Sequence, residues 1–244
     1  MTKSSNGGVQ WTGLPVESDA AIREALALTG HDSRRLLVVD ATGRIRRSTS
    51  AGASWSVTLD LPGITLCAVE YAPADADWAY AASTLGRVWC SNDGGGTWHE
   101  LPRGVTLAPA RPVNDIEIDP GDPRRVFVAF GANDITFGSD TRAVWRLDVA
   151  SVNQTVWTDV SGESPASSLP PRLPITGLAI DPRAPDTLYA AHLLGVHRTV
   201  DGGGSWSPFD QGLPNCFVSD LDLHEPTRAL YIATMGRGLY RLTL

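Results

Sequence analysis

The chain repeats itself. Ser91-Asn-Asp-Gly-Gly-Gly-Thr-Trp98 and Thr199-Val-Asp-Gly-Gly-Gly-Ser-Trp206 nearly superpose. Weaker copies are Ser48-Thr-Ser-Ala-Gly-Ala-Ser-Trp55, with Ser50 at the aspartate position, and Ser4-Ser-Asn-Gly-Gly-Val-Gln-Trp11, with Asn6 there. A fifth unit keeps only its end, Thr155-Val-Trp157. Tryptophans 11, 55, 98, 157 and 206 are separated by 44, 43, 59 and 49 residues, and joining the two ends of the chain gives a fifth interval of 49. Repeats of this length are supersecondary units that bury their apolar faces only against neighbours. A last interval matching the others suits a closed ring of four-stranded sheets, whereas an open solenoid needs capping repeats.

Each unit carries the same strand pattern. Inner strands alternate apolar and polar residues at Ala25–Leu28, Ala68–Tyr71, Asp115–Ile118, Gly177–Ile180 and Asp220–Leu223. Second strands follow at Leu36–Val39, Ala79–Ala82, Val126–Ala129, Leu188–Ala191 and Leu230–Ala233, and third strands at Ile45–Arg47, Val88–Cys90, Val144–Arg146, Val196–Arg198 and Leu239–Arg241. Pro-containing turns such as Asp119–Pro123 separate inner from second strands. The pattern predicts an all-β fold, a five-bladed β-propeller of four-stranded antiparallel blades filling residues 1–244. The last blade would take its outer strand from Val9–Leu14, which closes the ring and removes a free sheet edge. The insertion Gly131–Asp140 marks blade three, and Ser161–Pro174 reads as an excursion between blades three and four.

The segments Ser91–Trp98 and Thr199–Trp206 resemble the Asp-box, or BNR repeat, found in sialidases, xyloglucan-cleaving glycosidases, sortilin-type receptors and photosystem assembly factors. The resemblance implies structural roles for Asp93, Asp201, Trp98 and Trp206. Each carboxylate would accept hydrogen bonds from its own turn, while the tryptophan packs between sheets. It also implies that ligands bind at the face formed by the outer-to-inner and second-to-third strand loops. Arg103, Arg111, Arg172, Arg237, Asn215 and His192 fall in those loops. Guanidinium groups facing one mouth would clamp a carboxylate or sulfate bidentately; solvated surface arginines are the plainer reading.

Two clusters invite a metal. His192 and His197 flank Leu193–Gly195, and a turn centred on Leu194 and Gly195 sets the imidazoles opposite each other, half of a zinc site or an ordinary cross-strand pair. Glu70, Glu117 and Asp222 share one register of three inner strands, and Asp115 and Asp220 lie two residues earlier. Converging on the channel, these acids would bind a cation such as calcium or stand solvated in water. No cofactor is required. Arginines 47, 146, 198 and 241 recur at one third-strand position, which points to repeated architecture such as an inter-blade polar contact.

A formal charge of -7 argues against nucleic acid as partner, since phosphate binding needs a basic face. Hydrophobic content of 42% excludes general disorder. Three cysteines make an odd count without framework spacing, so disulfides are not expected. No apolar run is long enough for a membrane span, and Met1–Gly8 lacks a signal-peptide core, which predicts a cytoplasmic chain. The sialidase Arg-Ile-Pro signature is absent, and the tyrosines at 80, 189, 231 and 240 sit in second or third strands. A non-catalytic propeller presenting its loop face to a sugar, an anionic small molecule or a protein ranks first. A small sialidase-like glycosidase or lyase using channel-mouth carboxylates and arginines is the alternative.

Overall fold

The computed structural model describes residues 2–4, 8–13, 22–28, 32–40, 42–102, 111–131, 142–164, 166–171, 173–210 and 212–244. Five antiparallel sheets succeed one another along the chain. The first comprises Ile22–Leu28, Leu36–Asp40, Arg44–Ser48 and Ser56–Asp60. The second comprises Leu66–Tyr71, Ala79–Ser83, Val88–Ser91 and His99–Glu100. The third comprises Val113–Ile118, Arg125–Phe130, Val144–Ser151 and Gln154–Asp159. The fourth comprises Ile175–Ile180, Leu188–His192, Gly195–Thr199 and Ser207–Pro208. The fifth holds three strands, Val218–His224, Ala229–Thr234 and Gly238–Thr243. Inner, second and third strands therefore fall where the alternation puts them. No helix among the described residues is long and apolar enough to cross a membrane, and Cys67, Cys90 and Cys216 are free.

Sheet-to-sheet packing builds the core. The second-strand residues Leu37, Tyr80, Phe127 and Tyr189 point toward the next sheet and are buried there. Tyr80 and its neighbours meet Ile116, Val128 and Leu147 of the third sheet, while Phe127 meets Leu178 and Ala190 of the fourth. The Tyr80 hydroxyl also donates to the Pro123 carbonyl of the next sheet at 2.8 Å.

Two polar devices tie the joints. Every inner strand has a register shift near its start, and from the second sheet to the fourth the residue at the shift reaches forward. Cys67 donates to the Val113 carbonyl at 2.9 Å, Asn114 to Ile175 at 2.8 Å and Thr176 to Val218 at 2.7 Å. Ser219, at the same place in the fifth sheet, donates to Ala233 of its own sheet at 3.2 Å. The tryptophans reach backward. Trp98 donates to the Thr58 hydroxyl, Trp157 to the Pro102 carbonyl and Trp206 to the Val160 carbonyl, each in the preceding unit. Trp55 has no such partner and donates to Gly52 of its own turn.

The Gly-rich turns behave as their composition demands. Asp93 accepts hydrogen bonds from Ser91, from the Gly96 and Thr97 amides and from the Thr97 hydroxyl. Burial works against the charge, yet these bonds hold its pKa down to about 2. Bonds from Ser205 and Thr199 likewise hold Asp201 to about 2. The loop after the third sheet folds onto the fourth: Leu169 is buried, and Ser167 accepts the Trp206 amide.

The expected closure differs from what the described residues show. Thr12–Gly13 pairs with Thr2–Lys3 in a separate two-stranded sheet, so the fifth sheet ends at its third strand. Leu14 lies outside the described residues. Local pairing closes a short loop and therefore loses little chain entropy. The four successive pairs of inner strands pack side by side, but the first and last inner strands make no comparable contact.

Gly203 shows how tight a joint is. Its φ is +97°, and a Cβ there would lie 2.4 Å from the Val160 carbonyl oxygen of the preceding sheet. Gly212, with φ +85°, faces open space. Gly212→Ala is expected to lose about 1 kcal/mol of stability from backbone strain alone. Gly203→Ala adds a clash with fixed backbone and should lose roughly 3 kcal/mol or more. Urea titration of both variants checks the ordering, and equal losses would show that the joint yields.

Candidate functional site

The inner strands bring acids together. Asp115, Glu117, Glu70, Asp220 and Asp222 lie close enough for their charges to act on one another. Asp115 is held by backbone: its carboxylate accepts the Leu178 amide of the fourth sheet at 2.7 Å and the Ile116 amide at 2.9 Å. Burial still pushes its pKa to about 7, with Asp220 and Glu70 adding to the rise. Glu117 is raised well above the usual range, first by burial and then by Asp115, Glu70, Asp222 and Asp220. Glu70 is exposed to water at its surface, yet the protein packed around it raises its pKa to about 7. Burial also raises Asp220. None of the five forms an ion pair with a described residue, in contrast to Asp40, Asp119 and Asp181, which pair with Arg46, Arg125 and Arg228.

Beside these acids a recess of about 410 Å³ opens on the far face of the fifth sheet, lined by Asp220, Asp222, His224, Tyr231, Ala233 and Leu239. Among the described residues no further sheet covers this face. Tyr231 stands where Tyr80, Phe127 and Tyr189 stand in earlier sheets, and Leu239 where Val88, Val144 and Val196 are fully buried. Here Leu239 is 67% exposed. His224 meets the Tyr231 ring edge-on at 6.3 Å and bonds the Thr227 hydroxyl. The result is an aromatic and aliphatic floor with carboxylates along one rim.

The arginines expected at the loop face are described in part. Arg111 is buried, and its guanidinium donates to the carbonyls of Gly131 and Arg142 at 3.2 and 2.8 Å, so it braces backbone. Arg172 and Arg103 lie outside the described residues. Asn215 and Arg237 are exposed, the latter in the turn between the last two strands.

The histidines meet differently from the expected opposition. His192 is opposite Gly195 and His197 opposite Ala190, so the two are diagonal on one face. His192 Nε2 and His197 Nδ1 lie 2.8 Å apart. Because His192 Nδ1 accepts the Leu194 amide, its proton is assigned to Nε2, which donates to His197. Burial, then the neighbouring ring, lowers His192 to about 4, and burial lowers His197. The lone pairs that zinc would need are spent on hydrogen bonds. No group of three or more His, Cys, Asp or Glu among the described residues is disposed to hold a metal ion, at the histidines or at the channel acids.

The recurring arginines also part ways. Arg47 sits beside the Tyr71 hydroxyl of the next sheet, Arg146 pairs with Asp148, and Arg198 lies 4.9 Å over Phe209. Of these three, Arg47 alone makes an inter-sheet contact of the kind expected among the described residues, and Arg241 is exposed.

The chain matches no family model and no curated protein. Solved structures do match. A GH74 xyloglucanase from Xanthomonas campestris aligns with TM-score 0.67 at 18% identity, over 91% of this chain and 36% of that one. YCF48 from Cyanidioschyzon merolae aligns with TM-score 0.65 at 13% identity, over 96% and 70%. The Cps50 (Swd1) β-propeller domain of Myceliophteria thermophila aligns with TM-score 0.63 at 14% identity, over 91% and 67%. The fold is a β-propeller. Identities this low show the fold alone, and the chain spans about a third of the xyloglucanase.

Raised carboxyl pKa values make the propeller's stability depend on pH. Protonated, Glu70, Asp115 and Glu117 favour the folded state fully below ordinary carboxylate values of about 4. For Glu70 and Asp115 that contribution is lost as the pH rises through about 7, and Glu117 is shifted in the same direction. Glu117→Gln removes one charge from the group and is expected to raise the melting temperature at pH 8 while leaving it nearly unchanged at pH 4.5. A gap of equal size at both pH values would show that crowded charge is not the cause.

Proposed function

We propose that this chain is a non-catalytic binding propeller that holds a cationic segment of a protein partner. The carbohydrate and small-anion readings of the loop face rank below it, because Arg111, one of the arginines they depend on, spends its guanidinium on the carbonyls of Gly131 and Arg142. The observation that carries the proposal is the set of five convergent carboxyls with no described lysine or arginine paired to any of them. Unpaired acids crowded at one end of a rigid frame bind a cation at a gain, because the ligand relieves their mutual repulsion. The recess supplies what a lysine or arginine side chain needs: apolar surface at Leu239 and Ala233 for its stem, the Tyr231 ring for its charged head, and Asp220 and Asp222 at the rim. In this reading the Gly-rich turns are Asp-box elements of the frame. The ribbon Val9–Leu14 is the outer strand of the fifth sheet.

One observation favours catalysis: burial and the surrounding acids raise Glu117 well above the usual carboxyl range, the direction a general acid needs. With a second carboxyl on the other side of a glycosidic bond, it would serve a hydrolase of the class to which the xyloglucanase belongs.

Fluorescence anisotropy with a labelled lysine- and arginine-rich peptide, against an acidic peptide of equal length, separates the readings. The basic peptide is expected to bind and to weaken about tenfold between 50 and 300 mM salt. The double change Asp220→Asn with Asp222→Asn should weaken it by a similar factor. Equal affinity for both peptides would end the proposal. Release of an aryl leaving group from glycosides, abolished by Glu117→Gln, would replace it with the hydrolase.

A further inference from the structure

Arginines of this protein commonly give their Nε–H to a carboxylate. Arg44 donates it to Asp60 at 3.0 Å, Arg46 to Asp40 at 3.1 Å and Arg146 to Asp148 at 3.0 Å. Arg35, Arg47 and Arg198 depart from this habit. Each buries an Nε–H that no acceptor meets, and a buried donor left unmet costs free energy.

Two of the three stand together. Arg35 leads into the second strand of the first sheet, and Arg47 lies near the end of its third strand. Both come within hydrogen-bonding reach of the Tyr71 hydroxyl, at the end of the second sheet's inner strand. The Arg35 guanidinium is 5.7 Å from the centre of the Tyr71 ring, and one Nη lies against Gly94, where a Cβ would come within 1.7 Å of it.

Charge at this joint does not balance. Arg35 pairs with Asp77 at 2.9 Å, but Arg47 has no carboxylate partner among the described residues. Asp32 is held by Arg34, and Asp93 by the amides of its own turn. Alternation sends Glu70, the chain neighbour of Tyr71, to the other face of its strand. A half-buried positive charge is therefore left over, beside a hydroxyl and a second guanidinium. Arg198 differs, because Asp181 acts on the same Tyr189 hydroxyl that it faces. The joint opens to water here, since the Asp77 side chain is 64% exposed.

We propose that Arg35, Arg47 and Tyr71 form a binding site for an oxoanion of the phosphate or sulfate class. The guanidiniums come from two strands of one sheet and the hydroxyl from the next, so donors approach from different sides. A tetrahedral oxoanion offers acceptors in all those directions, whereas a carboxylate offers them in one plane. Asp77 competes with the anion for Arg35. The site shares no residue with the five carboxyls and goes beyond the peptide-binding reading.

Calorimetric titration with inorganic phosphate at constant ionic strength tests it. One saturable site per chain is expected, and no saturable binding up to about 10 mM overturns the proposal. Arg47→Gln should weaken binding about tenfold, while Asp77→Asn, which frees Arg35, should tighten it about threefold. Arg241→Gln, at the equivalent but exposed position of the fifth sheet, should change nothing. Equal affinity in the parent and Arg47→Gln overturns the site, as does weaker binding by Asp77→Asn. The Asp77 variant keeps both arginines, so it decides the matter even where Arg47→Gln fails to fold. Phenyl phosphate and acetate complete the set. A monoester bound at least as tightly as phosphate supports a phosphoryl group carried on a small molecule, and a weaker one supports the free ion. Acetate bound as tightly as phosphate overturns the oxoanion class. Failure on any arm leaves basic-peptide binding untouched.

Discussion

Each of the first four sheets of this protein is sheltered by the next. A four-stranded sheet alone leaves an apolar face in water, and here the face carrying Leu37, Tyr80, Phe127 or Tyr189 is covered by aliphatic residues of the sheet that follows. Burial of these large side chains supplies most of the joint's stability. The polar devices then fix how the sheets sit. Cys67, Asn114 and Thr176 reach forward to carbonyls of the next inner strand, and the tryptophans reach back. Where the neighbour is missing, on the fifth sheet, both effects lapse together: Ser219 turns to its own sheet and the far face becomes a recess.

The strands were legible because a half-buried strand must alternate and because tryptophans at a common spacing mark common places in the fold. The turns of Asp93 and Asp201 were legible for the same reason, since glycine-rich sequence with one short carboxylate has few ways to fold. The forward hydrogen bonds were not. Cys67, Asn114 and Thr176 share no chemical type, only a donor at a register shift, and register shifts leave no pattern in a sequence.

The candidate site was legible in part. Period-two spacing placed Glu70, Glu117 and Asp222 on one register, and the structure gathers them with Asp115 and Asp220. Arg111 misled because a loop arginine can turn inward to cap carbonyls, a choice made by the loop's path and not by its neighbours in sequence. The histidine pair turned on one residue of register: a hairpin closing at Leu193–Leu194 makes the rings diagonal, and the ring nitrogens then satisfy each other.

The polar contacts at the joints have a direction. Every forward donor sits on one side of its sheet and every matching carbonyl on the other, so the two faces of a sheet are never alike. A joint of this kind is heterologous, and a twofold axis cannot run through it. If two copies of the chain met through these surfaces, head would have to meet tail, and the assembly would either come round on itself or go on adding subunits without limit.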